Sequence, residues 1–206
     1  MIIGMTSIWT GGRVRLRGIE PEDWEAFRRF DENSEDMRSA DMTHPPRSAE
    51  GYRRWAEEQA TRDPQDDEFM LAIEAHGTAD DTLDNTLVGS ISTNGTDRLA
   101  GRFSYGVSIG DEHKRRGYAS EAVLLLMAFM FAERRYHKCE ISVHAVNEPS
   151  VRMHEKLGFV TEGRLRDHVF FAGRHQDLIL LGMTAQEFWA RHAEHTPTVI
   201  RPDQPW

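Results

Sequence analysis

A chain of 206 residues, 39% hydrophobic and 29% charged, is long enough for one domain with a sizeable core, and its make-up is that of a folded soluble protein. The formal net charge of −9 argues against a general nucleic-acid binder. That charge is unevenly placed, −11 over residues 1–97, +4 over 98–174 and −2 over 175–206, a split that suits an anionic ligand at one place and a cationic one at another.

Val14, Leu16 and Ile19 alternate with Arg13, Arg15 and Arg17 as a half-buried strand would. Pro21 fits the first turn of a helix, with Glu22, Asp23 and Glu25 at its positive end and Trp24, Phe27 and Phe30 along a core face. The stretch from Asp31 to Pro46 reads as an acidic, turn-rich loop. Ser48 then caps a helix running to about Arg62, with Tyr52, Trp55 and Ala56 inward. Strands follow at 69–73, 87–92 and 102–109, the first two joined by a polar turn from His76 to Asn85. A helix spans about 120–134, with Ala122, Val123, Leu126, Met127 and Met130 as its apolar stripe. A strand at 139–143 leads into a short helix that opens at Pro149-Ser150 and closes at Gly158, a residue suited to a left-handed C-cap. Strands at 159–166 and 177–183 form a hairpin, and a helix over 184–193 ends the expected domain, 1–195. The Pro-rich segment 196–206 reads as a loose arm. The order gives a single-domain α/β (α+β) fold, a mixed and mostly antiparallel sheet flanked by helices.

Cys139 is the only cysteine, so no internal disulfide or thiolate metal site is expected, in keeping with a reducing cytoplasm. The start of the chain lacks the basic and apolar regions of a signal peptide, and no window reaches the roughly 18 apolar residues of a membrane helix. His137, His168, His175, His192 and His195 lack metal-ligand spacing and read as surface or turn residues.

Chemistry concentrates in Lys114-Arg115-Arg116-Gly117-Tyr118-Ala119, where small residues and basic side chains coincide with a helix start. Backbone N–H groups can close around an anion there, aided by the helix's partial positive charge. This segment resembles the acyl-coenzyme A signature of the GNAT acetyltransferase superfamily, Gln/Arg-x-x-Gly-x-Gly/Ala, with Lys114 at the first position. The family's second half follows as Asn147-Glu148-Pro149-Ser150 and His154-Glu155-Lys156-Leu157-Gly158-Phe159. Leu16-Arg17 before Glu22-Asp23, and Glu162-Gly163 followed by Phe170-Phe171 and Asp177, look like the branch of ribosomal-protein N-terminal and spermidine acetyltransferases.

The resemblance implies acetyl-CoA as cosubstrate and no metal. Its pyrophosphate would lie on the amides from Arg115 to Ala119, its pantetheine arm beside Val107 and Ile109, and Asn147 on a pantetheine amide. Ser150 or His154 would protonate the leaving thiolate, His154 standing where many relatives carry Tyr. Ser104 stands where relatives often carry a basic Glu. The base is therefore open among Glu140, His144, Glu74 and Asp177, with Ser104 able to hold a relay water. The acceptor is expected to be a primary amine on a small molecule, a polyamine or a peptide N-terminus. Glu32, Asp36 and His44, in the loop between the first two helices, would meet it, and Asp31, Glu35 and Asp41 add to the acidic face. A homodimer is expected, with no nucleic-acid or membrane partner. The competing reading is a non-catalytic acyl-CoA-binding module.

Overall fold

Strand β1 (Val14–Arg17) buries Val14 and Leu16 and leaves Arg15 and Arg17 half-buried, the alternation a pleated strand imposes. The computed structural model of the chain describes residues 7–39, 43–63, 67–76 and 85–192, without the side chains of Asp36 and Ser39. After β1, a turn of 3-10 helix at Pro21–Asp23 enters α1 (Trp24–Phe30), and α2 (Ser34–Ser39) and α3 (Ala49–Thr61) follow. Ser48 accepts the Gly51 N–H and so caps α3 as expected. Then come β2 (Met70–Ala75), β3 (Thr86–Asp97), β4 (Arg102–Ile109), α4 (Tyr118–Ala132), β5 (Lys138–His144), α5 (Glu148–Leu157), β6 (Val160–Phe171), β7 (Arg174–Thr184) and α6 (Ala185–His192).

The seven strands form one sheet in the order β1-β2-β3-β4-β5-β7-β6. Every neighbouring pair is antiparallel except β4 and β5, which run parallel. On one face lies the main core. Its centre is α4, whose apolar residues point in every direction because the helix is enclosed by the sheet, by Leu157 of α5 and by Phe188 of α6. The other face carries a smaller core of Ile19, Ala26, Phe27, Ala72 and Leu87 beneath α1 and α3. Asp67 ties distant segments together: its carboxylate meets Arg98 at 2.7 Å, Arg134 at 3.1 Å and the Tyr136 hydroxyl at 3.1 Å, and its carbonyl accepts from Thr93 Oγ1. Among the described residues no helix is long and apolar enough to cross a membrane.

Four expectations change. The loop from Asp31 to Pro46 contains α2, too short and too polar to announce itself by periodicity. The third strand runs on to Asp97 because its polar half, Ser92 to Asp97, still pairs with β4. Trp24 is half-buried under the Arg53 guanidinium at 4.3 Å rather than in the core. His192 is buried, not a surface residue: its Nε2 lies 2.6 Å from the Leu157 carbonyl and pins α6 to the end of α5. The turn over 77–84, Asp41, Ala193, His195 and the tail 196–206 lie outside the described residues.

Candidate active site

Parallel β4 and β5 pair only at Arg102 with Lys138 and Phe103 with Cys139, and then diverge. Gly110 N–H donates to the Val88 carbonyl at 2.9 Å, so antiparallel alternation turns the backbone groups of Val107 and Ile109 away from β3 and into the gap. On the facing strand, Ala145 N–H donates to Asp177, and the same alternation turns Ser142 and His144 toward the gap. An interior sheet edge thus carries peptide groups with no strand partner among the described residues, in a position where such groups require one.

The gap ends at the basic turn. Gly117 is the N-cap of α4 with φ +83, a left-handed conformation open to glycine, and it lets the chain reverse so that the first amides of α4 point outward. Arg115 and Arg116 are exposed, and Lys114 is held by Asp111 at 3.2 Å. Tyr118 is buried in the main core, so its contribution to an anion is its backbone N–H, and Ala119 beside it is half-buried. Together these residues make a cradle for a polyanion.

Across the gap, Asn147 caps α5 by accepting the Ser150 N–H at 3.3 Å. His154, one turn on, is buried; its Nδ1 lies 2.8 Å from the Ser150 carbonyl and 3.4 Å from the Ser150 hydroxyl. A carbonyl only accepts, so Nδ1 carries the ring proton and Nε2 is the bare nitrogen. That Nε2 is buried without a partner among the described residues, as is the hydroxyl of Tyr105, whose ring packs at 5.9 Å. Burial pushes the His154 imidazole below its usual range, against the weaker opposing pull of the Ser150 carbonyl. A neutral ring with its proton committed to a carbonyl is a poor acid.

This burial has a measurable consequence. In the unfolded chain His154 protonates near pH 6.5, whereas in the fold it does so only at lower pH. Its neutral state costs the fold nothing above that value, and stability falls as pH drops through 6.5 toward the folded value. Buried His113, lowered chiefly by desolvation, acts in the same direction. We expect Tm to decline from pH 7.5 to 5.5 and the slope to lessen in His154→Gln, as read by calorimetry.

The base candidates separate. Glu74 is buried in ion pairs to Arg15 and Arg17. Asp177 is bound by Arg164 and the Asp167 N–H, which hold its carboxyl below the usual range. Glu140 is paired to Arg102 and Lys138, both at 3.3 Å, where the two strands still join. Ser104, paired in register with Asn94, lies one residue into the gap. His144, at the end of β5, is buried with Nδ1 unpartnered among the described residues and packs edge-on against Phe171 at 5.3 Å.

On the α1 and α3 face a cleft of about 680 Å³ reaches Ser90, Ser92 and Ser108 on the sheet. Its walls include Phe27, Phe30, Tyr52 and Trp55, which periodicity alone had marked as core. Asp31 accepts from the Tyr52 hydroxyl at 2.9 Å and lies 3.2 Å from His44 Nε2, so of the expected acceptor residues His44 lines the cleft. Glu32 is exposed beside Arg28, and the side chain of Asp36 lies outside the description. Tyr52 was the residue sequence reasoning missed; its hydroxyl, pushed up to about 12 by burial and by Asp31, stays protonated.

An acetyltransferase (GNAT) domain model matches residues 13–160. The chain is 40% identical over 185 residues, 89% of its length and 97% of the relative's, to the SPbeta prophage-derived uncharacterized N-acetyltransferase YokL of Bacillus subtilis. It is 24% identical over 194 residues, 92% of this chain and 95% of the other, to spermidine N(1)-acetyltransferase of Escherichia coli K12. The crystal structure of spermidine N-acetyltransferase from Vibrio cholerae in complex with CoA and spermine shares the fold, with a TM-score of 0.70 and 20% identity over 85% of this chain and 97% of that one. The split sheet, the glycine-capped turn beyond it and a match across most of the chain agree with one another, and the chain belongs to the GNAT family of N-acetyltransferases.

Proposed function

We propose that the protein transfers an acetyl group from acetyl-CoA to a primary amine by direct attack in a ternary complex. The observation that carries this reading is the divergence of β4 from β5, which leaves the Val107 and Ile109 peptide groups facing a gap that ends at the Gly117 cradle. An extended pantetheine arm carries amides that match such an edge, and its pyrophosphate matches the cradle. Asn147 and Ser150 line the opposite lip. The amine nitrogen attacks the thioester carbon, the C–S bond breaks, and the proton lost by nitrogen is balanced by one gained at sulfur. Ser150 gives the sulfur its proton and regains one from solvent, while His144, with Nδ1 unpartnered, takes the amine's proton through a relay water held by Ser104 and returns it to solvent.

The acceptor enters by the cleft. There Asp31, Asp63 and Glu68 stand against Arg47 and Arg62, with Arg134 already paired to Asp67, between aromatic walls. That balance favours one ammonium on an apolar body over a linear polycation. Buried, free Cys139 fits a reducing cytoplasm.

Thiol release from acetyl-CoA, measured across arylalkylamines, peptides with bulky N-terminal residues, polyamines and aminoglycosides, tests the proposal. Turnover is expected, fastest with the first two groups. CoA binding without turnover on any amine would instead support a non-catalytic module. Ser150→Ala is expected to lower kcat about 100-fold with little change in KM for the amine.

A further inference from the structure

We infer that Arg13 is a ligand of the coenzyme's phosphates and that Glu121 is the residue that positions it. The inference rests on the coenzyme reading of the Gly117 cradle and adds to it a residue from the β1 edge of the sheet. Arg13 immediately precedes β1, yet its Nη1 donates to the Arg116 carbonyl at 3.1 Å, inside the basic turn. A Cβ at Gly117 would run into that same Nη1, so the guanidinium lies directly beside the helix start. The carbonyl is its one side-chain partner among the described residues. A guanidinium has five N–H donors in a planar fork, which leaves donors of the geometry that phosphoryl oxygens accept.

Glu121 explains how Arg13 comes to be there. A carboxylate in the first turn of α4 suits the helix but would repel an anion bound at its N-terminus. Here the carboxylate is turned aside and accepts three backbone N–H groups, from Gly12 at 3.1 Å, Arg13 at 2.7 Å and Val14 at 2.8 Å. Its charge is spent on that loop of backbone, and the loop delivers a cation to the cradle. One acidic side chain thus removes a repulsion and supplies an attraction.

The test measures Kd for CoA, dephospho-CoA and pantetheine by calorimetry at several salt concentrations, in the full-length protein and in Arg13→Ala, Arg13→Lys, Glu121→Gln and Gly117→Trp. Arg13→Ala is expected to weaken CoA about 10-fold or more, to lower the salt dependence of binding and to leave pantetheine unaffected. The loss should fall on KM for acetyl-CoA, and lysine should restore part of it. Equal losses for CoA and dephospho-CoA place Arg13 on the pyrophosphate, whereas a loss confined to CoA places it on the 3′-phosphate; either supports the inference. Glu121→Gln should weaken CoA in wild type and much less in the Arg13→Ala background, because it acts through Arg13. Unchanged CoA affinity in Arg13→Ala, or an equal loss for pantetheine, overturns the inference. Should Gly117→Trp also bind CoA normally, the cradle itself is misplaced, an outcome distinct from a failure of Arg13 alone.

Discussion

Gly117→Trp is expected to abolish coenzyme binding, raising Kd at least about 100-fold, near 2.7 kcal/mol, while the protein remains folded. Two effects act together. At φ +83 any side chain is strained, at a cost of about 1–2 kcal/mol. The larger effect is occupancy: the position is already so close to the Arg13 Nη1 that an indole must displace the guanidinium and fill the space over the first amides of α4. The site is a half-buried helix cap, so the circular dichroism spectrum should be retained. Calorimetric titration with CoA is the measurement, and an unaltered Kd would show that the phosphates bind elsewhere.

Phe103→Ala should cost the most stability, about 3–5 kcal/mol, which for a chain of this size lowers Tm by roughly 10 °C. Phe103 is 1% exposed and meets the rings of Phe131 at 5.6 Å and Tyr136 at 5.3 Å. Truncation would leave a cavity between the sheet and α4 that neither ring can fill without leaving its own packing. It is also one of the two residues through which β4 still pairs with β5, so it is the pivot from which the two strands open. CoA affinity should therefore fall along with Tm. Leu99→Ala, at a fully exposed hairpin tip, should move Tm by no more than a degree or two and serves as the contrast. A Tm change in Phe103→Ala as small as that of Leu99→Ala would mean that the core does not depend on the pivot.

Much of the molecule was legible because local chemistry and global fold agree. The strand from Arg102 to Ile109 alternates cleanly and ends at a glycine, and the structure bounds it at those same residues. Ser48 and Gly158 marked helix ends by capping chemistry that needs no tertiary context. Where tertiary context decides, the sequence was silent. Tyr52 and Trp55 have the spacing of a core face, and only the placement of α3 over the sheet shows that the face lines a cleft. His192 read as a surface or turn residue because its partner, the Leu157 carbonyl, is 35 positions away. Arg13 read as the polar half of an alternating strand; its approach to Gly117 depends on a carboxylate 108 residues later. Periodicity reports which side a residue faces and cannot report what is brought to meet it.

The Asp67 cluster bears on the order in which the chain acquires its structure. Its hydrogen bonds reach partners 26, 31 and 69 residues further on, at Thr93, Arg98 and Tyr136. Until the last of these has left the ribosome, a side chain destined to be 5% exposed lacks part of the set that makes its burial tolerable. The hairpin of β2 and β3 can form early, but its outer end stays unlocked until α4 has crossed the sheet and brought Arg134 and Tyr136 to it. Emergence of the chain through Tyr136 therefore completes the lock at the outer end of the β2–β3 hairpin before β5 emerges to form the gap beside β4.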